Sequence, residues 1–120
     1  MSALKHIETA RVYLEKAREL LEREDPYDAA EKAWAAIWHA TIALAEKYMG
    51  SSEPPKGWTW RVFVKAGLSK SEAKELAAYY IEVRSKLHGD RFYSRHYEEP
   101  EHKPFIERAW EYVSLVERIL

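Results

Sequence analysis

The sequence predicts an all-α fold, an antiparallel up-and-down bundle of four long helices plus one short helix. Three observations lead there. Apolar residues recur at steps of three and four along four long stretches, the spacing of one helical face. Clusters of proline, glycine and serine separate those stretches. The one alternating run, Trp58, Trp60, Val62 and Val64, has no second run to pair with, and a lone strand is not stable.

Ala3, Ile7, Ala10, Leu14, Ala17 and Leu21 form a bundle seam and predict a first helix over 3–23, with Leu4 and Leu20 widening the stripe. Its other face (Glu8, Arg11, Glu15, Lys16, Arg18, Glu19, Glu22, Arg23) reads as solvated. Asp25-Pro26 is the break, with Asp25 as cap and Pro26 at the first helical position. The short connection makes helices one and two an antiparallel hairpin.

The stretch from Asp28 to Tyr48 is the centre of the fold. Ala30, Ala33, Trp34, Ile37, Ala40, Thr41, Leu44 and Tyr48 share one face, and Ala29, Ala36, Ala43 and Ala45 carry apolar character round the cylinder. At 1.5 Å per residue such a helix spans about 30 Å. Asp28, Glu31, Lys32, His39, Glu46 and Lys47 interrupt it, so it is not a membrane span. Gly50 suits a left-handed cap.

Ser51 to Gly57 reads as a loop. A short helix over about Trp58 to Ala66 follows, with Trp60 and Phe63 or Val64 inward and a stop at Gly67. Ser69 and Glu72 match a capping box. The helix they start runs to about Leu87 on the seam Ala73, Leu76, Tyr80, Val83 and Leu87, with Ala77, Ile81, Arg84 and His88 along the adjoining edge. Gly89 to Pro100 reads as an ordered loop or a short helical turn. The last helix begins between Pro100 and Pro104, on the seam Ile106, Ala109, Val113, Val116 and Leu120, with Phe105, Trp110 and Tyr112 adding aromatic area.

Composition bounds the function. The 120 residues fit one helical-bundle domain over 1–120. Net charge is −1, from 19 basic and 20 acidic residues, so any nucleic-acid contact must come from a local patch. The absence of cysteine excludes disulfides, thiolate nucleophiles and cysteine-held metals. The first twenty residues contain no apolar signal core, and no run approaches 18 apolar residues, so a cytoplasmic protein is expected. Abundant Glu, Lys and Arg with few Met suit a thermophile. No phosphate loop, nucleophile elbow or zinc signature occurs, and no cofactor or metal is expected.

The chemistry-bearing stretch runs from Arg84 to Tyr97. It holds Arg84, His88, Arg91, Tyr93, Arg95, His96 and Tyr97. Histidine moves protons near neutral pH, arginine grips phosphate, and tyrosine stacks on bases. Catalysis, ligand or nucleic-acid binding, and a structural role all remain open. Arg84 could equally bridge helices, and His88 could cap its own helix. His39, mid-helix beside Trp38, reads as a hydrogen-bonded core histidine, or as a supporting residue should its helix lie beside the Arg84 edge. His96 and His102 with Glu98, Glu99 and Glu101 match no common metal spacing. His6 reads as a surface residue. Trp58 and Trp60 read as buried rather than as a stacking platform.

Helix one, the Asp25-Pro26 break, the Ala-rich second helix from Ala36 onward, Trp58, Ala66, Leu68, Leu87-His88 and Phe92-Tyr93 together resemble the archaeal PaREP-type proteins. Those are similar to the HEPN (higher eukaryotes and prokaryotes nucleotide-binding) superfamily. The resemblance implies a bundle of four or five helices, often a homodimer. It also implies an RNA-interacting protein, either a metal-independent ribonuclease of toxin–antitoxin or defence type or a non-catalytic module. The latter would be antitoxin-like, or an accessory subunit of a nucleotidyltransferase. In the ribonuclease reading Arg84 holds the phosphate and His88 serves as base or acid, with Arg91, Tyr93, Arg95, His96 and His39 as binding residues. Many HEPN members separate that Arg and His by four to six residues. Here three lie between Arg84 and His88, and four between Arg91 and His96.

Overall fold

The computed structural model describes residues 2–50, 59–83 and 99–120. Five helices make up the order: α1 (Ala3–Glu22), α2 (Pro26–Met49), α3 (Thr59–Lys65), α4 (Lys70–Val83) and α5 (Glu99–Ile119). The described residues contain no strand. Trp60, Val62 and Val64 of the alternating run are therefore helical, as the lack of a pairing partner demands.

Side-chain pairings fix the directions. His6 meets Glu46 while Tyr13 neighbours Lys32, so α1 and α2 are antiparallel. Arg11 pairs with Glu117 and Arg18 covers Trp110, so α5 also runs against α1. Thr41 bonds Tyr112 and Tyr48 bonds the carbonyl of Ile119, so α2 and α5 run the same way. Glu82 meets Arg108 and Tyr79 meets Tyr112, which sets α4 against α5. The result is up-down-up-down with α3 inserted before the third long helix.

Alanine makes this arrangement tight. Ala29, Ala30, Ala33, Ala36, Ala40, Ala43 and Ala45 on α2 are all fully buried, which brings neighbouring backbones close. Larger side chains fill the remaining space: Leu14 from α1, Ile37 and Leu44 from α2, Val62 and Phe63 from α3, and Val113 and Tyr112 from α5. An aromatic group of Trp34, Phe63, Tyr79, Tyr80 and Tyr112 joins α2, α3, α4 and α5 through tilted and edge-on ring contacts.

The helix ends follow their local chemistry. Ser2 accepts from the Lys5 amide and Asp25 from the Asp28 amide. At the end of α1, Asp25 N–H donates to Leu20 C=O and Glu24 N–H to Leu21 C=O. That is a Schellman turn, with Glu24 rather than glycine in the left-handed position at φ 61°. Gly50 ends α2 in the left-handed conformation. The Tyr48 hydroxyl donates to the Ile119 carbonyl, supplying a free end of α5 with a partner.

Several details differ from the sequence reading. Leu4 does not widen the first seam, because it is 65% exposed. On α3 it is Val62 that joins Phe63 inside, while Val64 is exposed. Ala77 belongs to the core side of α4. Glu72 completes its box through the Ser69 hydroxyl, at 2.8 Å, rather than through a backbone amide. α5 begins at Glu99, before Pro100, and carries Pro104 within it. The Ser51–Gly57 loop, Trp58 and the segment from Arg84 to Glu98 lie outside the described residues.

The Thr41–Tyr112 bond gives an asymmetric prediction. Thr41 Oγ1 also reaches the Ile37 carbonyl at 2.8 Å, so Tyr112→Phe leaves the threonine satisfied. Thr41→Val strands a buried phenol instead. Urea unfolding should show a loss of about 1–3 kcal/mol for Thr41→Val and a smaller loss for Tyr112→Phe. Equal losses would contradict this reading of the bond.

Candidate functional site

Of the residues singled out from the sequence, Arg84, His88, Arg91, Tyr93, Arg95 and His96 lie outside the described residues. His39 lies inside them, half-buried on the face of α2 that meets α1. α4 reaches α2 on a different side, where Tyr80 packs on Trp34.

His39 is not alone there. Its Nδ1 lies 2.9 Å from Nδ1 of His6, a residue 33 positions earlier. His6 is 6% exposed, not a surface residue. It is one of two buried polar side chains among the described residues, the other being Thr41. Position explains the difference: His6 precedes Ile7 on α1, at the edge of the seam, where the alanine-rich α2 comes close enough to cover it. Heptad spacing alone does not assign such flanking positions a side.

Glu46, two turns on from His39 along α2, completes the set. Its Oε2 lies 3.8 Å from Nε2 of His6. That oxygen is buried with no hydrogen-bond partner among the described residues. Burial lowers the proton affinity of His6, an effect the Glu46 carboxylate opposes. Burial lowers that of His39 as well, and the neighbouring His6 adds to the effect. The folded protein therefore favours an uncharged histidine pair near neutral pH.

Aromatic and basic groups frame His39. Tyr13 stacks on it at 5.7 Å, and Trp38, 37% exposed, meets it edge-on at 5.1 Å. The Lys16 and Lys32 ammonium groups, from α1 and α2, lie 5.8 and 6.0 Å from the Tyr13 ring. A second such cluster surrounds Trp60. Arg61, Lys70 and Lys74 come within 5.5, 5.6 and 5.7 Å of its ring, and it is half-buried rather than wholly inside. Both clusters place several cations on one aromatic in a protein whose net charge is close to zero.

A model of the archaeal PaREP1/PaREP8 family matches residues 5–116. The chain belongs to that family. The match takes in all five helices except the extreme ends of α1 and α5, so His6, Tyr13, His39 and Glu46 fall within the family region. No curated protein and no solved structure matches the chain. No helix among the described residues is long and apolar enough to cross a membrane.

A hollow of about 200 Å³ opens between α4 and α5, lined by Leu76, Tyr79, Arg108, Glu111, Tyr112 and Leu115. The Tyr79 hydroxyl is buried there without a partner among the described residues. Burial raises the proton affinity of Tyr79 and Tyr112, so neither phenol ionises near neutral pH.

The histidine pair makes stability depend on pH. Both groups hold protons less tightly folded than unfolded, where the ordinary imidazole value is about 6.5. Their contribution is complete above that value and is lost as pH falls through the lowered folded values. Melting temperature should therefore fall from neutral pH toward about pH 5. The fall should be shallower in the His6→Phe/His39→Phe variant. Equal slopes for wild type and variant would contradict the coupling.

Proposed function

We propose that this family member is an RNA-interacting protein. The observation that carries the reading is the face around His39. It combines a stackable tyrosine, an exposed tryptophan, two lysines and a histidine that favours its neutral form. Lysines neutralise phosphates, aromatic rings stack on unpaired bases, and a neutral imidazole accepts or relays a proton. The cations round Trp60 extend the same chemistry to a second surface. Single-stranded RNA suits such surfaces better than duplex, because its bases are free to stack.

In this reading Arg91, Tyr93, Arg95 and His96 contribute further contacts, and Arg84 and His88 form the catalytic pair of a metal-independent ribonuclease. The HEPN-like character of the chain, a homodimer that pairs two such sites, and a role in toxin–antitoxin or defence systems belong to the same proposal. A second reading is a non-catalytic module that docks on a partner protein such as a nucleotidyltransferase. It is favoured by the exposure of Leu4 and Val12 on α1 and of Ile81 on α4.

Binding and cleavage separate these readings. Wild type should bind single-stranded RNA with a salt-dependent affinity. Lys16→Ala/Lys32→Ala should weaken that binding across sequences and lower the salt slope by roughly one to two. In EDTA, wild type should cleave a mixed RNA pool, while Arg84→Ala and His88→Ala, with helicity intact, should not. Binding without cleavage would remove the ribonuclease and leave RNA contact. Absence of binding would leave the partner-docking module.

A further inference from the structure

The two histidine Nδ1 atoms at 2.9 Å constrain where the protons sit. One nitrogen must carry hydrogen and the other must be bare, because two bare or two protonated nitrogens repel at that distance. Glu46 decides which. Its otherwise unpartnered Oε2 faces His6 Nε2 at 3.8 Å and favours a hydrogen on that nitrogen. A neutral His6 protonated at Nε2 is bare at Nδ1, so His39 Nδ1 must be the donor. His39 is then bare at Nε2, an atom that no described residue bonds. The proton order runs from His39 Nδ1–H to His6 Nδ1, with His6 Nε2–H facing the Glu46 carboxylate electrostatically at 3.8 Å, beyond hydrogen-bond range. The tautomer of the outer histidine is thus set by a carboxylate it does not touch.

Resting on the RNA-interacting reading, we infer that His39 Nε2 accepts a hydrogen bond from the ribose 2′-hydroxyl, and that Glu46 and His6 are positioning residues that make this face select RNA over DNA. The flanking groups fit a ribose-phosphate unit. Lys16 and Lys32 stand beside Tyr13, one ring away from His39, where a phosphodiester adjoining the bound ribose would sit. Trp38, edge-on to His39 and partly exposed, offers a surface for the base. The 2′-hydroxyl is the group that distinguishes RNA from DNA, and a site that can only accept there requires its hydrogen. Were Nε2 protonated, the same histidine would donate, and any acceptor at the 2′ position would serve.

The test compares three single-stranded oligonucleotides of one sequence: RNA, its 2′-fluoro analogue and DNA. The fluoro sugar keeps an RNA-like pucker but has no hydrogen to donate. Wild type should bind RNA about three- to tenfold more tightly than the fluoro analogue, the worth of one net hydrogen bond. Glu46→Lys presents a donor to His6 Nε2 and reverses the proton order. In that variant, with helicity intact, the advantage of RNA over fluoro-RNA should shrink, because a protonated Nε2 no longer requires a hydrogen from the sugar. His39→Phe should abolish the difference between RNA and fluoro-RNA. Equal binding of RNA and fluoro-RNA by wild type would overturn the inference while leaving the RNA-interacting reading standing. So would discrimination that survives both variants. Binding of none of the three oligonucleotides would overturn both.

Discussion

The burial of α2 is the constraint on which the rest of the structure depends. A helix whose alanines are covered on several sides cannot stand at the edge of a bundle. It must be encircled, and small side chains bring its neighbours close. α1 lies against one side, α5 against another, and the Trp34 face receives Tyr80 of α4. Close approach covers polar groups at the seams, and burial favours pairing them within the protein. Thr41 finds Tyr112 and the Ile37 carbonyl. His6 finds His39 and Glu46.

Those two solutions differ in kind. The Thr41–Tyr112 bond is sealed inside and serves packing, since both side chains are buried and burial keeps the phenol protonated. The His6–His39–Glu46 set is buried at its centre, His6, and partly exposed at both ends. His6 is buried, while His39 is half-buried beside an exposed tryptophan and a lysine-flanked tyrosine. A polar chain from the partly exposed Glu46 through the buried His6 carries the carboxylate's preference to the half-buried His39. The same interface that holds α1 on α2 thereby sets the chemistry of the surface.

The fold was legible because its signals are local. The α1 seam of Ile7, Ala10, Leu14 and Ala17 is buried as its spacing requires. The Asp25 and Ser69 caps and the Gly50 stop lie where their chemistry places them. What the sequence hid depends on neighbours distant along the chain. His6 looks like a surface residue until α2 covers it, and its partners lie 33 and 40 residues away. Periodicity assigns a face to a seam residue but not to one beside the seam, which is why Leu4 and His6 both depart from expectation in opposite senses. His39 was legible as a hydrogen-bonded histidine, but not the identity of its partner. Membership of the PaREP1/PaREP8 family was legible in the pattern of the two N-terminal helices and the short motifs that follow.

Nitrogen-15 NMR of the imidazole rings tests the central claim most directly, without RNA and without a variant. At neutral pH the account predicts a protonated Nδ1 and a bare Nε2 on His39, and the reverse on His6. It also predicts a scalar coupling between the two Nδ1 atoms across their hydrogen bond. Rings that average between tautomers as free histidine does, or a His39 protonated at Nε2, would contradict it.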